Sequence, residues 1–202
     1  MTQRPRQSRK SMVALGYVVA SSHRNAPLCV MLALGLAADS AVAQAHPCAR
    51  FSWNIDHERA LFATAPEAVA AGRDPTSAPL LAPDRLYQLQ LRPQSQVALV
   101  LPPGKKTDTD GTYAGLARLR PQQPGPYSVS LDQSSWIDVV ADGKMIDSAD
   151  FQGQPGCLAP HKIVRYSLPA GLELVLQLSS ALSPRVRLTI TRVDAGTAEH
   201  SR

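Results

Sequence analysis

Gly125-Pro-Tyr-Ser-Val-Ser-Leu131, followed by Trp136-Ile-Asp-Val-Val-Ala-Asp-Gly143, decides the fold. In the first block Tyr127, Val129 and Leu131 alternate with serines, and a period of two sends the two kinds to opposite faces of a strand. The second block is rich in residues that suit a pleated, half-buried surface, and it runs into Asp142-Gly143. That dipeptide makes a two-residue hairpin turn from Ala141 to Lys144.

The same rhythm recurs outward from this stretch. Lys162–Leu168, Leu174–Leu178 and Val186–Ile190 follow it, and Tyr87–Leu91, Gln96–Leu101 and Gly115–Arg120 precede it. Pro124-Gly-Pro126 and Pro169-Ala-Gly171 break the runs. The pattern predicts eight short strands and no long amphipathic helix. It implies an all-β sandwich over residues 86–202, with Tyr127, Val129 and Leu131 among the residues filling the space between two sheets.

Residues 46–85 have a different texture, with Ala-Pro at 65–66, 78–79 and 82–83 and Asp-Pro at 74–75. One short helix is expected around Asp56 to Ala63, ended by Pro66, within an otherwise irregular arm.

Residues 1–45 have the three-part layout of an export signal. A basic head carries Arg4, Arg6, Arg9, Lys10 and Arg24, an apolar run extends from Ala26 to Ala38, and small residues close it. The run is shorter than the ~20 residues that span a bilayer, so a cleaved signal peptide is expected, with no membrane span after cleavage. A second Met, Met12, places a possible start downstream. Leu28 before Cys29 is the wrong residue for a lipoprotein signal. Ala41-Val-Ala43 and Ala43-Gln-Ala45 offer two cleavage sites; the second leaves His46 as the new amino terminus. The expected location is periplasmic or secreted.

Net charge is +5 over the whole chain, but the leader's five basic residues against Asp39 leave only +1 for the remainder. Nucleic acid is therefore not an expected partner. Lys105 and Lys106 read as a solvated turn with Asp108 and Asp110. Beyond the leader two cysteines remain, Cys48 and Cys157, and an even pair in an exported chain reads as a disulfide.

The blocks from Gly125 to Leu131, Trp136 to Gly143, Phe151 to Cys157, His161 to Gly171 and Leu174 to Ser179, in that order, resemble a group of uncharacterised exported proteobacterial proteins. The likeness spans mainly residues 86–192. The strand-and-turn rhythm is also similar to the jelly-roll sandwiches of bacterial pre-peptidase C-terminal domains. That likeness implies a jelly-roll-like β-sandwich of about eight strands acting as a binding or accessory module. Some relatives in the first group carry a homogentisate 1,2-dioxygenase label. Such enzymes hold iron with two His and a carboxylate. Nothing in this chain matches that motif, and the activity is not carried over.

Motifs of catalysis are sparse. There is no Gly-x-Ser-x-Gly elbow, His-Glu-x-x-His pair, phosphate-cradling loop or dinucleotide fingerprint. Asp108-Thr-Asp110-Gly111 opens like a calcium loop but lacks the acid that would close it. His57, in Asp56-His-Glu58, could act as a base, but its neighbours in sequence point elsewhere, and it reads as a surface histidine. Ser134 and Ser135 read as loop residues before a strand, and Trp53 and Trp136 as core.

The remaining cluster is His46, Cys48, Cys157 and His161. Oxidised, it is a disulfide with two free imidazoles, where an amino-terminal His46 could hold copper. Reduced, two thiolates and two imidazoles could hold zinc. These residues together point to an exported, non-catalytic binding or envelope accessory protein with no required cofactor, its partner an envelope protein, a glycan or a small ligand. The alternative is a copper- or zinc-dependent protein or enzyme using His46, His57 or His161.

Overall fold

The computed structural model describes residues 47–105 and 110–193. The expected leader with its cleavage sites, His46, Lys106, and Asp108 and Thr109 of the Asp108–Gly111 turn lie outside the described residues. One helix, α1 (Asp56–Phe62), forms where expected. Among the described residues twelve strands are present: β1 (Glu67–Ala70), β2 (Leu80–Leu81), β3 (Leu86–Gln90), β4 (Arg92–Pro93), β5 (Tyr113–Leu119), β6 (Gly125–Leu131), β7 (Trp136–Ala141), β8 (Lys144–Ile146), β9 (Ser148–Gly153), β10 (Lys162–Leu168), β11 (Leu174–Ala181) and β12 (Arg185–Arg192).

They build two sheets. The first has the order β1-β3-β12-β6-β10-β9; the second has β2-β5-β11-β7-β8, with β4 also on β5. Omitting the short arm strands and β9 leaves β3-β12-β6-β10 facing β5-β11-β7-β8. The chain changes sheet at nearly every step, which is the double Greek key of a jelly roll. Neither sheet closes on itself. The expected all-β sandwich is what the chain forms.

The hairpin at Asp142-Gly143 forms with Ala141 opposite Lys144, and both turn residues have positive φ (48° and 72°), as that tight turn requires. Seven of the eight predicted strands are present. Gln96–Leu101 is not one. Gln94–Gln96 makes a 3-10 turn, and the segment then lies over the second sheet without a partner strand. Its backbone polar groups are met otherwise: Ala98 N–H donates to Arg73 O, and the Gln177 side chain both accepts from Leu101 N–H and donates to Leu101 O. Buried backbone groups need partners, and here one amide side chain stands in for a ladder.

The core lies between the sheets. Leu89, Val129, Leu131, Leu188 and Ile190 from the first meet Leu119, Val139, Leu176 and Leu178 from the second, all buried. The intervening positions are also buried: Ser128, Ser130, Thr189 and Thr191 on the first sheet, and Gln177 and Ser179 on the second. Alternating polar residues normally mark a solvated face. Here both outer faces have covers. Residues 94–104 cover part of the second sheet. The amino-terminal arm covers the first, with Thr191 Oγ1 donating to the buried Glu58 carboxylate at 2.7 Å and the Arg187 guanidinium over the Phe62 ring.

The arm is thus less irregular than its Ala/Pro content implies. Beyond α1 it supplies β1 and β2, which pair in parallel with β3 and β5. Its start is tied down by the Cys48–Cys157 disulfide, with Cα atoms 5.0 Å apart across 109 residues of sequence. Gly72 bridges to Leu116 of β5, and a Cβ there would sit 2.5 Å from the Ala78 backbone, so only glycine fits without a backbone shift.

Candidate functional site

The gap between the sheets opens where β7 and β10 separate. β8 pairs only with Val139–Ala141, so the amino-terminal half of β7 has no strand on that side. Carbonyls in this half and just before it are met by β10. The Tyr166 hydroxyl donates to Ile137 O at 3.0 Å, and Lys162 Nζ donates to Ser135 O at 2.8 Å. Lys162, Val164 and Tyr166 share one face of β10 by the period of two. After β8 the chain passes at Asp147 into β9, crossing from the second sheet to the first.

These strands enclose a cleft of about 240 Å³. Ile137, Val164 and Tyr166 make its floor, and Met145, Ile146 and Phe151 its apolar wall. Phe151, an aromatic ring on the edge strand β9, is 66% exposed. A broader, shallower depression adjoins it through Trp136, Phe151 and Lys162, and adds Lys105, Ser134, Ser135 and His161.

Trp136 stands at the junction. Its indole N–H donates to Asp138 Oδ1 at 2.8 Å, and the lysine ammoniums of Lys105 and Lys162 lie 5.9 and 5.4 Å from its ring centroid. Both distances are within cation–π range. Asp138 is buried, and its Oδ2 accepts from Gly104 N–H and Gln177 Nε2. Burial, and then the charge of Lys105, push the Lys162 ammonium below the ordinary lysine range, while Asp138 opposes them. Burial and the Asp138 charge push the Tyr166 phenol up, so it remains a proton donor to Ile137 O.

Both tryptophans depart from the sequence expectation. Neither is buried in the core: Trp136 is half-buried at the cleft, and Trp53 is half-buried with the Arg165 guanidinium 3.8 Å from its ring centroid. The physical reason is positional. Trp136 shares the outward face of β7 with Asp138, while Ile137 and Val139 point inward. Lys105 is exposed, in keeping with the reading as a solvated turn, and its ammonium also stands 5.9 Å from an indole centroid.

The singled-out histidines have separate partners. His57 is exposed and pairs with Asp84 at 2.8 Å, while its neighbour Glu58 is buried on the other side. His161 faces Cys157 O at 3.2 Å and lines the shallow depression. His46 lies outside the described residues. The disulfide removes the two thiolates on which the zinc reading depended, and among the described residues no group of three His, Cys, Asp or Glu could hold a metal ion. Ser134 and Ser135 do lie near a base, Lys162, but that ammonium donates to the Ser135 carbonyl, and Ser135 Oγ has no hydrogen-bond partner. No nucleophile–base pair is assembled there.

His57→Ala is expected to change unfolding free energy by under about 0.5 kcal/mol, since exposed ion pairs contribute little. Urea titration of the variant checks this. A loss of more than 2 kcal/mol, on the scale of a buried group, would mean the pair holds the arm in place.

Fold and site together define a jelly-roll β-sandwich with a cleft of about 240 Å³ at an open strand edge. Comparison with protein-family models and with curated protein sequences returns no match to this chain.

Proposed function

We propose that the chain is an exported binding protein or envelope accessory protein, working in the periplasm or outside the cell, and that the cleft beside β7 is where its ligand sits. The observation carrying this is the cleft's construction: apolar core residues Ile137 and Val164 are reachable from solvent, beside a fixed indole and two ammoniums. An apolar concavity with a few placed polar groups is the general form of a small-molecule site. The disulfide suits an oxidising compartment, and among the described residues no helix is long and apolar enough to cross a membrane. The resemblance to exported proteobacterial proteins agrees with this location.

A small-fragment library screened by ligand-observed NMR tests the reading, with Met145→Trp as the comparison. Met145 lines the cleft, and a larger ring there fills it. Fragments that bind the native protein are expected to lose most of their affinity in the variant. Fragments that bind both equally would place the site elsewhere. Turnover of a fragment, abolished by changing one polar residue, would make the protein an enzyme.

A further inference from the structure

The cleft and the adjoining depression differ in chemistry. Ile137, Met145, Ile146, Phe151 and Val164 give the cleft an apolar lining, whereas the depression gathers Lys105, Lys162 and His161 around Trp136 and has no carboxylate among its described lining residues. Neither lysine forms an ion pair with a described residue. The nearest buried acid, Asp138, already accepts from Trp136, Gly104 and Gln177. Asp147 lines the cleft only, and is exposed. Among the described residues, two ammoniums beside one buried carboxylate leave a single positive charge over at the indole. Lys162 spends one of its three donors on Ser135 O, which leaves two.

We infer that this site takes a compact monoanion with an apolar body, its anionic head between Lys105 and Lys162 and its body along Ile137, Met145, Ile146, Phe151 and Val164. The inference rests on the cleft being the binding site. A neutral saccharide fits less well, because two of the donors that line the cleft are already committed, Tyr166 to Ile137 O and Trp136 to Asp138. The volume, below the ~300–1,000 Å³ of drug-sized sites, sets the ligand as small.

Calorimetric titration with octanoate, octyl sulfate, octanol, octylammonium and sodium sulfate tests it. One or both octyl anions are expected to bind about tenfold or more tighter than octanol, as a charge-assisted contact confers. Octanoate against octyl sulfate distinguishes the head. Lys162→Met should reduce the anion to the affinity of octanol, and Lys162→Arg should retain most of the preference. Lys105→Gln, a loop substitution that leaves every strand untouched, should lower the preference severalfold and carries the test if Lys162→Met fails to fold. Equal binding of octanol and the octyl anions, preference for octylammonium, or sulfate binding as tightly as octyl sulfate would overturn the inference, as would no binding by any of the five. The cleft reading itself fails separately, when library fragments bind the Met145→Trp variant unchanged.

Discussion

Replacing Cys48 and Cys157 together by Ala is expected to lower unfolding free energy by up to ~4–5 kcal/mol. The bridge closes 109 residues, and cross-linking a loop of that size removes about this much free energy of chain disorder from the unfolded state. Cys157 is fully buried and Cys48 nearly so, so the alanines also leave a small gap. Near the arm's start the other attachments include Ser52 N–H to Gln152, Gln154 Nε2 to Arg50 O, the Trp53–Arg165 stack and the Glu58–Thr191 hydrogen bond. All but the last lie at or near the surface. Urea unfolding of the oxidised native protein and the double variant, followed by tryptophan fluorescence, measures the difference. A loss under about 1 kcal/mol would mean that the arm is held by packing and that the bridge adds little.

Leu178→Ala is expected to cost about 2–5 kcal/mol, whereas Ser179→Ala next to it should change stability by no more than about 0.5 kcal/mol. Both residues are buried on β11, on opposite faces. Leu178 points into the core between sheets, in register with Gly115 and Ile137, where truncation leaves a cavity. Ser179 Oγ points under the outer cover and has no hydrogen-bond partner, so removing it abandons nothing. Chemical denaturation of the two single variants decides the matter. A large loss at Ser179 would show that its hydroxyl holds a buried water in the native protein.

The sandwich was legible in the sequence because inward residues such as Tyr127, Val129 and Leu131 keep strict period two, and Asp142-Gly143 fixes one register. Strands β8 and β9 were not, because Lys144–Gly153 is polar and mostly exposed at the sheet edges, with no alternation to read. Gln96–Leu101 misled in the opposite sense: an apolar run can cover a sheet as well as join one. The disulfide followed from counting cysteines. The cleft was only half legible. Trp136, Ser134, Ser135 and His161 stood out separately, and nothing in their spacing places them together. Their partners Lys162 and Asp138 read as ordinary strand residues, and Phe151 lies in a stretch that does not read as a strand. Two local signals pointed at them, Trp136-x-Asp138 and Lys162-x-Val-x-Tyr166, each of which puts its members on one strand face. What was missing is the register across β10 and β6 and across β11 and β7, which depends on the whole fold.

The outermost strands bear on how the protein behaves when crowded. An uncovered sheet margin offers unpaired N–H and C=O groups to any passing chain, and long flat margins seed fibrils. Here β2 has two residues and β8 has three, too few to template a neighbour. The longer margin, β9, carries Asp150 and meets β10 through a register shift at Arg165/Tyr166, which twists it out of line. Sheet extension is thereby opposed along β2, β8 and β9.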